Sequence, residues 1–163
     1  MKLRKEILLA AVLVAMPALG QVEKVAVRTT GISCGDCAAV SEIYLRRLEG
    51  VDKVAISMSK EAVLVTYKPG ASFQPWDIRD ALSRTDVGVV QIQISARGRV
   101  QEQAGKRFFV AGKDKFLLLA SPPTPNAPPT PKVPSDTPVT IEGIVNDRTD
   151  PMELRVLSFQ PLK

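Results

Sequence analysis

The side chains with the most distinctive chemistry are two cysteines, Cys34 and Cys37, which are separated by Gly35 and Asp36. They are the only cysteines among 163 residues, and the chain contains no histidine. A Ser-His-Asp or Cys-His catalytic site and an imidazole metal ligand are therefore excluded, as is a zinc site with four Cys or His ligands. Any soft-metal or redox chemistry must use this one pair of sulfurs.

The pair lies just before a predicted helix, with Cys34 in a loop and Cys37 close to the helix N-terminus. Unpaired backbone N–H groups and the positive end of the helix dipole favour the thiolate form of cysteine there. Two thiolates are soft ligands, which suit Cu(I) and Hg(II) better than Mg²⁺ or Ca²⁺. Two ligands also leave such an ion under-coordinated. The spacing therefore predicts a site that holds one Cu(I) or similar ion and passes it on.

Other interpretations of the pair remain open. Two cysteines with this spacing can form a disulfide, or act as the redox pair of a thiol-disulfide oxidoreductase, since a C-x-x-C motif at a helix start also lowers a thiol pKa. With a plain disulfide, the chain would be a binding or scaffold module. Asp36 is either a hard carboxylate that assists Zn(II) or Cd(II), or a solvated residue of the first helical turn.

The elements around the pair follow a recognisable order of strands and helices. Apolar and polar residues alternate at 25–29, 54–58, 63–67 and 90–94, as expected for strands. Helical spacing predicts one helix that ends near Gly50 and a second over 72–84. The apolar face assigned to the first helix consists of Val40, Ile43, Tyr44 and Leu48. The order strand, helix, strand, strand, helix, strand predicts an α+β, ferredoxin-like sandwich over residues 22–96.

Three further side chains admit a structural or a functional role. Phe73 and Trp76 are expected to be core or helix-staple residues. Met58 alternates with apolar strand residues and is expected to pack in the sheet, with thioether ligation as the alternative.

The C-terminal part, residues 97–163, is predicted to be a small all-β segment. Residues 121–138 contain eight of the 13 prolines and almost no large apolar side chain, which predicts an extended linker or long loop. The short strands predicted around it are 99–101, 107–110, 116–119, 139–145 and 154–157. Five strands of this length are typical of a small OB-like barrel, although strands that extend the first sheet would give the same pattern.

Residues 1–20 have the composition of a secretory signal peptide. A basic start is followed by an apolar run over 7–19 and small residues before the expected cleavage point after Gly20. The run is shorter than the roughly 20 residues that cross a bilayer, so no stable membrane anchor is expected after cleavage. Cleavage lowers the formal charge from +5 to +3, and no basic cluster indicates nucleic-acid binding. A periplasmic or secreted protein is predicted.

The segment Gly31–Cys37, followed by a helix and by Leu-Glu-Gly-Val-Asp-Lys-Val at 48–54, resembles the heavy-metal-associated domain family. That family includes copper chaperones, the N-terminal modules of copper-transporting ATPases, and the periplasmic mercury-binding protein. Its motif is G-M-x-C-x-x-C, so Ile32 replaces the family's Met. The resemblance implies that Cys34 and Cys37 are metal ligands. The aromatic residue or Lys that the family places in its late loop has no clear counterpart at 85–89.

Together these observations predict a non-enzymatic, extracytoplasmic metal-binding protein. The ion is Cu(I) in the first place, with Hg(II), Zn(II) or Cd(II) as alternatives. The expected partner is a metal-transporting ATPase or another metalloprotein, reached through metal exchange.

Overall fold

The computed structural model describes residues 20–120 and 124–163 and shows an α+β architecture with a large β component. The predicted signal peptide lies, up to residue 19, outside the described residues. No helix in the described ranges is long and apolar enough to cross a membrane. The helices are α1 (Gly35–Arg46) and α2 (Pro75–Ser83). The strands are β1 (Gln21–Thr30), β2 (Val51–Ser57), β3 (Ala62–Tyr67), β4 (Gly88–Gln103), β5 (Lys106–Ala111), β6 (Asp114–Leu118), β7 (Val139–Asn146) and β8 (Glu153–Pro161).

The first half of the chain has the predicted order β1-α1-β2-β3-α2-β4. Its strands form an antiparallel sheet in the order β2-β3-β1-β4, and the two helices contact each other. Val25 and Val27 of β1 are fully buried, while the residues between and beside them are exposed, as strand alternation requires. The ferredoxin-like arrangement predicted for this region is confirmed.

The buried face of α1 differs from the predicted one. Ser41 and Leu45 are buried, whereas Val40 and Ile43 are exposed, with 48% of Ile43 accessible to solvent. Polar Ser41 can be buried because its hydroxyl shares a 2.6 Å hydrogen bond with the Thr85 hydroxyl, beyond α2. The assignment of Val40 and Ile43 to the core was therefore wrong, while Tyr44 and Leu48 do pack against the core.

Strand β4 continues well past its predicted end. The separate strand predicted at 99–101 is wrong, because these residues are the continuation of β4. Gly98 sits within the strand, and a side chain there would collide with the carbonyl oxygen of Val110 on β5. Gly98 thus allows β5 to approach closely, and it does not end β4. The predicted division between residues 96 and 97 falls inside β4.

The remaining strands close a ring of pairings with β4. β4 pairs with β5, β5 with β6, β6 with β8, β8 with β7, and β7 returns to β4. The β6–β8 pairing is parallel and the others are antiparallel. The ring encloses fully buried side chains, which are Val100, Phe109, Phe116, Ile141 and Leu154.

The proline-rich segment is partly folded onto this ring. Val133 is 1% exposed, and Asp136 donates its backbone N–H to the Val100 carbonyl at 2.9 Å. A parallel bridge also joins Ser135 to Val100. Of the two predicted forms, extended linker or long loop, residues 133–136 belong to a loop that is held against the ring by one apolar side chain and edge hydrogen bonds. Residues 121–123 lie outside the described residues.

Two side-chain contacts fasten the C-terminal strands to the first half. Arg79 of α2 forms a two-point ion pair with Asp147, at 2.6 and 2.7 Å. Its guanidinium keeps the pKa of the Asp147 carboxyl below the usual range. At the start of β6, the buried Asp114 carboxylate accepts the Phe73 N–H at 3.0 Å. Burial raises the pKa of Asp114 to about 6.

The raised pKa of Asp114 predicts that stability falls as pH rises from about 4 to 6. Below pH 4 this carboxyl is protonated in both the folded and the unfolded protein. Between pH 4 and 6 only the folded protein retains the proton on Asp114. Each increase in pH therefore favours unfolding, until Asp114 has ionised in both states. In Asp114→Asn, the amide oxygen accepts the same Phe73 N–H without a buried charge. We expect the free energy of unfolding of this variant at pH 7.5 to be higher than that of the parent by about 2–3 kcal/mol.

Urea unfolding at pH 4, 6 and 7.5 measures this difference. The exposed carboxyl of β2 supplies the control, since Asp52→Asn should change the free energy of unfolding by less than about 0.5 kcal/mol. A parent as stable as Asp114→Asn at pH 7.5 would contradict the assignment.

Candidate metal centre

The two cysteines lie where the chain passes from the sheet into a helix. β1 ends at Thr30, Gly31 turns the chain with φ +90°, and α1 begins at Gly35. Cys34 is the N-cap of α1, and its Sγ accepts the backbone N–H of Cys37 at 3.0 Å. The predicted positions of Cys34 in the loop and Cys37 in the first helical turn are both observed.

The structure joins the two sulfurs in a disulfide, with the Cα atoms 5.2 Å apart. Cys34 is exposed and Cys37 half-buried, so the bond lies at the surface. The disulfide was one of the alternatives left open by the sequence. In this oxidised form the pair has no thiolate to offer a metal ion, whereas two-electron reduction would produce two neighbouring thiols at the helix N-terminus.

The positive end of α1 is the main electrostatic feature around the sulfurs. The Cys37 N–H is one of the donors that a helix leaves unpaired in its first turn, and it points to the Cys34 sulfur. Negative charge on that sulfur would therefore be stabilised both by the hydrogen bond and by the helix dipole.

Asp36 is exposed in the first turn of α1, where its charge complements the helix dipole. Within the described ranges, no three residues of the His, Cys, Asp and Glu types are grouped to hold a metal ion. The geometry therefore favours the solvated first-turn role of Asp36 over the role of a third ligand.

A second loop, between α2 and β4, lies against the cysteine loop, and it contains residues 85–89, where the family resemblance places the late loop. A Cβ on Gly31 would lie 3.1 Å from the carbonyl oxygen of Asp86, so the two backbones are close. Asp86 has a left-handed conformation with φ +58°, and Val87 is buried beside it. Aspartate tolerates this conformation better than most residues, so Asp86 is a sequence signal for a tight turn here.

Ile32 is fully buried beneath the cysteine loop. This apolar side chain holds the loop against the core, although the residues on either side of it are exposed. Because the role is one of packing, the replacement of the family's Met by Ile preserves it.

Two of the remaining predictions were wrong. Met58 lies in the exposed turn between β2 and β3 and does not pack in a strand. Trp76, on α2, is 63% exposed and does not belong to the core, whereas Phe73 is buried as expected. Trp76 follows the helix's first residue, Pro75, whose own burial leaves the next side chain pointing outward.

With this geometry established, the chain can be compared with known proteins. It is 38% identical over 56 residues to copper-transporting ATPase 2 of Rattus norvegicus, which is 34% of this chain and 4% of the ATPase. It is 36% identical over 66 residues to copper-transporting ATPase 2 of Homo sapiens, and the match covers 40% of this chain and 4% of the ATPase. Copper-transporting ATPases carry heavy-metal-associated domains at their N-termini. The chain resembles the heavy-metal-associated family.

Solved structures also include similar proteins. A CopZ metallochaperone matches 41% of this chain and 98% of its own length, with 24% identity and a TM-score of 0.38. The yeast copper transporter domain Ccc2a matches 42% and 94%, with 24% identity and a TM-score of 0.37. No protein-family profile matches the chain. The chain spans only 4% of the length of the curated relatives.

The two glycines of the cysteine loop supply a matched pair of tests. Gly31→Ala places a Cβ at φ +90° and against Asp86, so we expect a loss of about 1–2 kcal/mol in unfolding free energy. Gly35→Ala lies at the first helical position with open space around its Cβ, and it should leave stability unchanged or slightly higher.

Urea unfolding of both variants under reducing conditions provides the comparison. Equal losses for Gly31→Ala and Gly35→Ala would contradict the close approach of the two loops.

Proposed function

We propose that the reduced protein binds one Cu(I) ion between the Sγ atoms of Cys34 and Cys37. The observation that carries this proposal is the placement of both sulfurs at the N-terminus of α1, with Cys34 as its cap. Soft thiolate ligands prefer Cu(I) among the ions available to such a pair. The similarity to copper-transporting ATPases supports the choice of copper, and Hg(II), Zn(II) and Cd(II) remain alternative ions.

The function of such a site is metal exchange, without enzymatic turnover. Cys34 is exposed and no other described side chain of a suitable type is grouped with the pair, so an ion held there would keep open positions. A partner thiolate can enter one of these positions before the first ligand leaves. A metal-transporting ATPase or another metalloprotein is therefore the partner that we propose.

The disulfide supports a second candidate function, thiol-disulfide exchange. A partner thiolate would attack one sulfur of the Cys34–Cys37 bond, form a mixed disulfide and release the other sulfur as a thiolate. A second thiolate of the partner would then attack the mixed disulfide, which leaves the partner oxidised to a disulfide and Cys34 and Cys37 reduced. The same bond also means that copper binding requires prior reduction by a dithiol, with two electrons and two protons added.

Anaerobic titration of the reduced protein with Cu(I), in competition with a chromogenic chelator, tests copper binding. We expect one ion per chain. Replacing either thiolate leaves a single soft ligand, so Cys34→Ser and Cys37→Ser should each weaken binding at least about 100-fold. The oxidised protein should bind no Cu(I) at this site.

Asp36→Asn is the control, because it changes the intervening charge without removing a sulfur, and we expect its affinity to stay within about threefold of the parent. Equal Cu(I) affinity for the parent and both serine variants would rule out the proposed site. Turnover with a mixed-disulfide substrate by the parent, together with weak copper binding, would favour the exchange function.

The proposed location is the periplasm or the exterior of the cell, and the support for it is the leader composition of residues 1–20. We expect the protein isolated from its native host to begin at Gln21, the first residue of β1. Intact-mass measurement determines this start directly. A chain that retains residues 1–20 would contradict the location.

The C-terminal ring, in our proposal, is an OB-like barrel. Its support is the closed order β4-β5-β6-β8-β7, with one long shared strand and a single parallel pairing. A solution structure in which β7 does not pair with β4 would contradict this classification.

A further inference from the structure

A cavity of about 540 Å³ lies between the proline-rich segment and one end of the β-ring. Its walls come from the start of β5 and the glycine before it, the end of β6 and the two residues after it, residue 156 of β8, and residues 130–133 of the proline-rich segment. None of these residues belongs to the cysteine loop. The volume is within the range of small-molecule sites in proteins.

The wall of the cavity is mainly apolar. The side chains that line it include Leu117, Leu119, Val133 and Val156. Val133 and Val156 are buried, whereas the two leucines are half-exposed. Among the described residues of the proline-rich segment, Val133 is the only large buried side chain, so these residues cover this end of the ring incompletely. An apolar chain placed in the cavity would take the leucine surface out of water.

The polar side chains of the lining are mainly cations. Lys106, Arg107 and Lys132 line the cavity, and no aspartate or glutamate in the described part of the chain does. Arg107 is already engaged, because it donates to the Val133 carbonyl and has Glu102 within 3.7 Å. Lys106 and Lys132 are exposed, and neither forms an ion pair or side-chain hydrogen bond with any described residue. Both ammonium groups are thus available to a negatively charged group.

We propose that this cavity binds a single-chain amphiphile with a carboxylate head, of the free fatty-acid type. The apolar chain lies along Leu117 and Leu119 under the proline-rich segment. The carboxylate lies at the rim, where it is attracted by Lys106 and Lys132. The proposal is independent of metal binding, because the cavity and the cysteine loop share no residue.

Four probes separate the contributions of chain and head in titrations monitored by backbone amide NMR. Decanoate has both groups, decanol has the same chain with a neutral head, decyltrimethylammonium has a cationic head, and acetate lacks the chain. We expect saturable shifts centred on Leu117, Leu119 and Val133 with decanoate. Decanol should bind about fivefold more weakly, since exposed ion pairs contribute modestly, and the cationic amphiphile should bind about fivefold more weakly again, while acetate should not bind measurably.

Paired lysine variants test the head group. Lys106→Ala combined with Lys132→Ala should weaken decanoate about fivefold and leave decanol unchanged. Lys113→Ala combined with Lys115→Ala removes two exposed cations that do not line the cavity, and it should change neither affinity. Both pairs are exposed, so all variants are expected to fold. Cys34→Ser combined with Cys37→Ser should bind decanoate like the parent.

The proposal is overturned if decanoate causes no saturable shifts at the cavity, or if it binds no better than decanol. Equal weakening by the two lysine pairs would also overturn it, because the effect would then reflect net charge alone.

Discussion

The structure depends on the pairing of one strand, β4, with three others. Its residues 92–97 pair with β1 on one edge and with β7 on the other, and its last five residues pair with β5. One face of this strand is also buried, with Ile92, Ile94, Ala96 and Val100 among the core residues. The two halves of the chain therefore share backbone hydrogen bonds. Neither half has a complete set of pairings without β4.

The side-chain contacts between the halves reinforce this arrangement. The Arg79–Asp147 ion pair joins α2 to the turn between β7 and β8, and nearly all of the Asp147 side chain is buried. Loss of the arginine would leave that charge buried without a partner, which is far more costly than the loss of an exposed pair. The contact between Asp114 and the Phe73 N–H fixes the segment before the same helix. Both contacts therefore act on α2, whose following loop lies against the cysteines.

Strand and helix order could be predicted from the sequence because each element of residues 22–96 has a clear period. The cysteine positions followed from that order. The sequence could not predict which residues contact one another across the fold, because this depends on tertiary structure. Ser41 is buried through a hydrogen bond to Thr85, 44 residues away, and no local pattern signals this. The continuation of β4 through Gly98 was missed for the same reason, since the glycine is explained by the approach of β5.

The proposed exchange of a metal ion requires a fixed backbone and accessible sulfurs, and the cysteine loop has both. Ile32 is fully buried, Gly31 is held close to Asp86, and α1 supplies the first-turn donor to Cys34. These contacts define where the sulfurs lie, although Cys34 itself remains exposed. The exposed apolar residues Val40 and Ile43 lie one and nearly two turns further along the same helix. A partner that approaches the sulfurs along α1 would therefore bury apolar surface at the same time, which is favourable without adding a third ligand.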